Sequence, residues 1–233
     1  VGEVRGAWFA QGEERVILST GAGAVEIIDW RKGETSGIHE WSVEGALAVH
    51  VDDARSIVVA RTSAEPRVLE WSWETGEERA LSGEGPAILE IIPFGEGDSR
   101  YLLSTEVGVV EAWDFDSNDR LFTIDPSELP SWKRYLSEGH LLKVLVSGSR
   151  RFLATGAHDG YVRIWNASSG ELMRELGPFH PGNSDLRITS MAFSLDEETL
   201  FAGCGDAHLR QWSIGTGEFL NEMTTHTANQ VVQ

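Results

Sequence analysis

Seven histidines (His39, His50, His140, His158, His180, His208, His226), one cysteine and 37 acidic residues are the side chains from which this chain could build acid–base, metal or nucleophilic chemistry. No histidine pair has the HExxH spacing, and Cys204 has no second thiol with which to hold zinc. His158 and Asp159 are adjacent, and a turn ahead of a strand explains them without an acid–base or metal role. Gly21-Ala-Gly23 is too short for a phosphate loop and opens no helix. The run Asp114-Phe-Asp-Ser-Asn-Asp119 has the acidity of a calcium loop. It lacks the loop's Gly and closing bidentate Glu, so it reads as a hairpin turn. Asn166-Ala-Ser168 has the letters of a glycosylation sequon and no secretory context. Cys204 reads as a small buried strand residue, excludes an intrachain disulfide and fits a reducing compartment. These residues point away from catalysis and from a bound metal or cofactor.

The net charge of −18 is uneven. Residues 1–132 carry 10 Lys+Arg against 26 Asp+Glu, a net of −16, while residues 133–233 carry 9 against 11, a net of −2. So acidic a first half repels phosphate backbones, which argues against direct nucleic-acid binding and for basic protein partners. No apolar run approaches the roughly 18 residues of a membrane-spanning helix, and the start has no signal-peptide pattern. The expected setting is intracellular, cytoplasmic or nuclear. With no initiator Met, the chain is expected to be part of something longer.

What must position any site is a repeat. Five of the nine tryptophans end similar short strands: Trp30, Trp71, Trp113, Trp165 and Trp212, at spacings of 41, 42, 52 and 47. A period in the forties built of strands is the signature of a propeller. A Gly-Glu pair follows most of these tryptophans (Gly33-Glu34, Gly76-Glu77, Gly170-Glu171, Gly217-Glu218). Its Gly supplies the positive φ of a tight hairpin ahead of an amphipathic fourth strand. Two more strands of period two precede each Trp, with small residues in the middle one.

Phe152-Leu-Ala-Thr-Gly-Ala-His-Asp-Gly-Tyr-Val-Arg-Ile-Trp165 resembles the core of a WD40 repeat nearly residue for residue. Met191-Ala-Phe-Ser-Leu-Asp196 resembles the strand and turn ahead of such a core. The resemblance is specific over about 140–225 and weak over 1–139. It implies an all-β propeller and, in each blade, a buried tetrad of His, Ser or Thr, Asp and Trp. By position the fourth blade supplies Thr155, Asp159 and Trp165, with His140 at the head of the inner strand or in the tetrad. The fifth supplies Asp206, Trp212 and His180, with Ala202 in place of the hydroxyl. The first has Thr20, Gly23 and Trp30; the second, Arg61 and Glu65; the third, Leu103 and Val107.

The reading is a single WD40-type domain over 1–233 with about five four-stranded blades at 3–43, 44–84, 85–126, 140–177 and 186–225. An inserted loop spans 127–139 and a tail 226–233. Rings of this family most often have more blades, so the chain is expected to be part of a larger or open ring, with a partner completing it as one possibility. By resemblance the function is a non-enzymatic protein–protein scaffold within a larger protein or multisubunit assembly. The alternatives are a ligand-sensing propeller of a multidomain switch and a quinone-cofactor propeller dehydrogenase; Thr155, Asp159 and Trp165 tip the choice to WD40. Candidate partner-binding residues are Glu106 and His158 beside hairpin turns, His140 and Arg187 at inner-strand starts, and Trp132 with Arg134 on the inserted loop. Trp132 fits either a binding hot spot or a side chain packed onto a blade edge.

Overall fold

The computed structural model describes residues 3–10, 14–43, 46–53, 55–62, 68–81, 85–94, 99–125, 128–129, 141–177 and 187–224. They form twenty strands in five antiparallel sheets, each with its four strands in chain order. Sheet 1 is β1 (Val4–Ala10), β2 (Arg15–Thr20), β3 (Ala24–Asp29) and β4 (Glu34–Glu40). Sheet 2 is β5 (Leu47–Asp52), β6 (Ile57–Arg61), β7 (Val68–Ser72) and β8 (Glu78–Leu81). Sheet 3 is β9 (Ile88–Pro93), β10 (Arg100–Thr105), β11 (Val110–Asp114) and β12 (Asp119–Ile124). Sheet 4 is β13 (Leu141–Val146), β14 (Phe152–Ala157), β15 (Val162–Asn166) and β16 (Leu172–Leu176). Sheet 5 is β17 (Ile188–Phe193), β18 (Thr199–Cys204), β19 (His208–Ser213) and β20 (Phe219–Thr224). This is the all-β, five-bladed architecture expected from the repeat; the described residues include no α-helix.

The meander follows from local chemistry. The turn between third and fourth strands closes with the amide of Gly33, Gly76, Gly170 or Gly217 donating to the carbonyl four residues earlier, at 2.8–2.9 Å. All four glycines have φ between +70° and +76°, which a side chain would strain. Sheet 3 uses Asn118 at φ +58° instead, since Asn tolerates the left-handed region. The acidic run is this turn: the Asp114 carboxylate accepts the amides of Asp116 and Ser117, which holds its own pKa down against burial.

The chain divides into two compact units: sheets 1 and 2 with β9 and β10 lie in the first, sheets 4 and 5 with residues 121–124 in the second. In the first unit, Ile17, Val25 and Ile27 of sheet 1 cluster with Val58, Ala60 and Leu69 of sheet 2. Val59, Val68 and Leu81 on the other face of sheet 2 cluster with Ile88, Ile91 and Tyr101 of sheet 3. In the second unit, Ala154, Val162 and Leu176 of sheet 4 cluster with Ile188, Leu200 and Ala202 of sheet 5. Sheet 2 thus offers one face to sheet 1 and the other to sheet 3, and sheets 4 and 5 pack face to face. Each such aliphatic side chain contributes on the order of 1.5–3 kcal/mol.

Candidate interaction surface and its supporting network

The buried polar groups of sheets 4 and 5 are joined by a network repeated at an interval of 47 residues. In sheet 4 the Trp165 indole N–H donates to Thr155 Oγ1 at 2.9 Å. Asp159 accepts from Arg163 Nη2 at 2.7 Å and from the Tyr161 amide at 3.0 Å. Arg163 then donates from Nε to Glu175 on the fourth strand at 3.2 Å. In sheet 5 Asp206 accepts from both terminal nitrogens of Arg210, at 3.0 and 2.5 Å. Arg210 Nε donates to Glu222 at 2.8 Å. Ala202 leaves no hydroxyl for Trp212, whose ring meets Phe219 edge-on at 6.1 Å.

Arg163 and Arg210 are among the largest fully buried side chains of the described residues. Burial pushes the Asp206 carboxyl up, but the two bonds and the charge of Arg210 outweigh it and hold its pKa below the ordinary carboxylate range. Burial works against the charge of Arg210, and Asp206 more than restores it. Burial pushes the Cys204 thiol up, leaving it a protonated core residue.

The sequence reading named Thr155, Asp159 and Trp165 together. The structure joins Thr155 to Trp165 and bonds Asp159 to Arg163. Arg163, Arg210, Glu175 and Glu222 were missed. Their signal was present: an Arg two residues before the Trp, an Asp four before the Arg and a Glu twelve after it, twice.

In the first unit the tryptophans are not all equivalent. The first hairpin turn is anchored at Asp29, as the others are at Ser72, Asn166 and Ser213. The residue before the anchor is Trp71, Trp165 or Trp212, but in sheet 1 it is Ile28. Trp30 therefore lies two positions past the indole site and is 50% exposed, where the repeat reading placed it in the core. Register likewise puts Leu18 and Ala60 at the Thr155 position, where the sequence reading had Thr20 and Arg61. Counting back from the wrong Trp caused the first error; a longer β6–β7 connection caused the second.

Other contacts secure these sheets. His39 stacks on Trp71 at 4.3 Å with planes 5° apart, and its Nε2 meets Glu78 at 2.9 Å. The Ser42 hydroxyl bonds the same carboxylate. Trp41 is edge-on to His39 and buried. Beyond them, Tyr101 donates to Asp52 at 3.2 Å, and burial followed by that carboxylate pushes its phenol pKa up. Arg55 reaches Asp116 at 2.7 Å and Glu70 at 3.7 Å, and Arg79 holds Glu70 at 2.9 Å. Burial raises the Glu70 pKa despite both arginines.

Among the surface candidates, Glu106 is exposed in the β10–β11 turn and His158 half-buried in the β14–β15 turn. Arg187 is exposed beside β17, and its carbonyl accepts the amide of Gly205 at 2.9 Å. Trp132, Arg134, His140 and His180 lie outside the described residues. Among the described residues no group of three or more His, Cys, Asp or Glu side chains is arranged to hold a metal.

The repeated network coincides with the comparison. The WD40 family model (WD domain, G-beta repeat) matches residues 133–166 and 173–213. These two segments match WD40 repeats. A solved structure of the computationally designed Ika8 protein is also similar, with a TM-score of 0.68 at 22% identity. The match covers 96% of this chain and 62% of Ika8. At that identity the likeness speaks for the fold alone. WD40 repeats generally mediate protein–protein interaction and are generally non-enzymatic.

Proposed function

We propose that this chain is a non-enzymatic scaffold that binds protein partners within a larger protein or multisubunit assembly, in an intracellular setting. The observation that supports this reading most directly is how its ionisable residues are used. Among the described residues, Asp159–Arg163–Glu175 and Asp206–Arg210–Glu222 engage one another across strands, so their charges hold sheets together.

The surface favours a basic partner contacting the acidic first three sheets, where residues 1–132 carry a net −16. Glu106, His158 and Arg187, at or beside hairpin turns, are its candidate contacts; Trp132 and Arg134, outside the described residues, would add an aromatic and a cation. The test is binding of the full chain to immobilised basic and acidic peptides of equal length over a salt series. The basic peptides should bind, weaken with salt and weaken further on Glu106→Lys. Equal capture of both peptides, or capture indifferent to salt, would refute a charge-selected partner. A pull-down with Trp132→Ala and Arg134→Glu tests the loop; unaffected capture by both would remove it from the interface.

A further inference from the structure

The fourth strand is an edge of each sheet, and in sheets 1, 4 and 5 that edge is broken. β4, β16 and β20 each carry a residue too many for the third strand, so Ser36, Met173 and Leu220 stand unpaired at a bulge. A bulge kinks and twists an edge, which hinders a further strand from pairing with it. β8 has no such residue. Its pairing with β7 runs unbroken from Val68–Leu81 to Trp71–Glu78.

Register says which backbone groups this regular edge presents. The Ser72 amide donates to the Glu77 carbonyl at 2.9 Å, so these two residues face each other as a hydrogen-bonded pair. Bonded and non-bonded pairs alternate along an antiparallel ladder. Arg79 and Leu81 therefore aim their backbone groups at β7, and Glu78 and Ala80 aim theirs away from it. Among the described residues no strand pairs with that outer side of β8. Sheet 2 is packed on both faces, by sheet 1 and by sheet 3, so the edge is the part of its backbone left open.

The side chains around the edge set the charge of what can dock there. Residues 68–81 carry Glu70, Glu74, Glu77 and Glu78 against Arg79, a net of −3. In the matching hairpin of sheet 4 (162–176), Glu171 and Glu175 are balanced by Arg163 and Arg174, a net of 0. In that of sheet 5 (208–224), Glu218 and Glu222 stand against Arg210, a net of −1. Glu74 and Glu77 are exposed, and so is Ala80, whose methyl puts little bulk beside its own amide.

We propose that β8 is a docking edge, and that an extended basic segment of a protein partner adds to sheet 2 as a fifth strand. The inference rests on the charge-selected partner proposed above and gives that partner a form and a place. The outward amides and carbonyls of Glu78 and Ala80 hold the peptide backbone, and the glutamates select its cations.

Amide hydrogen exchange of the full chain, followed residue by residue by NMR, tests this with an alternating Lys-Val peptide. At saturating peptide, exchange at the Glu78 and Ala80 amides should slow. An alternating Glu-Val peptide, and a Lys-Val peptide with every amide N-methylated, should each bind at least about tenfold more weakly, the effect of roughly 1.4 kcal/mol. Ala80→Pro removes an outward amide and no bond to β7, so its circular dichroism should match wild type while its affinity for the Lys-Val peptide falls by a similar factor. If that variant does not fold, the exchange data and the N-methylated peptide decide. Binding of the Lys-Val peptide with unchanged exchange at Glu78 and Ala80, or equal affinity for its N-methylated form, would overturn the docking edge and leave the charge-selected partner standing. Failure of the Lys-Val peptide to bind would also overturn the edge, and the salt series on other basic peptides would then decide the broader reading.

Discussion

Arg210 can be removed in two ways that separate charge from volume. In Arg210→Ala, Asp206 loses two hydrogen bonds, and Glu222 loses its 2.8 Å contact. The Asp206 side chain is 4% exposed, so its charge stays buried with the His208 amide at 3.2 Å and the His208 ring at 3.5 Å beside it. Removing one member of such a pair costs about 3–5 kcal/mol. Replacing the pair with apolar groups, as in Arg210→Met with Asp206→Leu, should cost far less, because no orphaned charge remains. Urea unfolding followed by circular dichroism gives both values. The folded pKa of Asp206 is depressed, so its stabilisation is present above the unfolded value, about 3.9, and is lost as pH falls through the lower folded value. The wild-type stability curve should therefore drop in that acid window, and the drop should be smaller in the Arg210→Met, Asp206→Leu variant, where Asp114 and the other depressed carboxylates remain. An Arg210→Ala variant within 1 kcal/mol of wild type, with an unchanged acid limb, would refute the assignment of Arg210 as the counter-charge.

Three further outcomes follow from the same geometry. Thr155→Val removes the acceptor of the Trp165 indole and should cost about 1–3 kcal/mol by urea unfolding, while Thr216→Val on the exposed β19–β20 turn should cost less than half as much. Gly170→Ala places a Cβ 2.5 Å from Phe122 at a φ of +73°, and the melting temperature should fall by several degrees, the equivalent of about 1–2 kcal/mol. Glu70 has a raised folded pKa, so its contribution is fully present below the unfolded value of about 4.3 and is lost as pH rises through the folded value. Glu70→Gln should accordingly be at least as stable as wild type at neutral pH, and pH-dependent melting should show a flatter curve.

The sequence reached far where structure is local. Period-two alternation made strands, and a Gly four residues past the turn anchor made the hairpin in four sheets, with Asn118 in the fifth. The repeat of Trp165 at Trp212 marked equivalent sites, because sheets 4 and 5 keep the same register at an offset of 47 residues. The same reasoning failed at Trp30, where the indole lies two residues past the site that Ile28 fills; nothing local separates Val-Glu-Ile-Ile-Asp-Trp30 from Tyr-Val-Arg-Ile-Trp165. Register decides it, and register is set by pairing with β2 and β4.

Arg163 and Arg210 show the same division. A lone Arg in a strand reads as surface by composition. It becomes a core residue only because the hairpin brings an Asp four residues earlier, and the fourth strand brings a Glu twelve residues later, to its guanidinium. Strand, turn and repeat were written in the chain because they depend on neighbours in sequence. Which face of each sheet is sealed, and which charges are buried, was decided by tertiary packing, because both depend on partners that only folding places side by side.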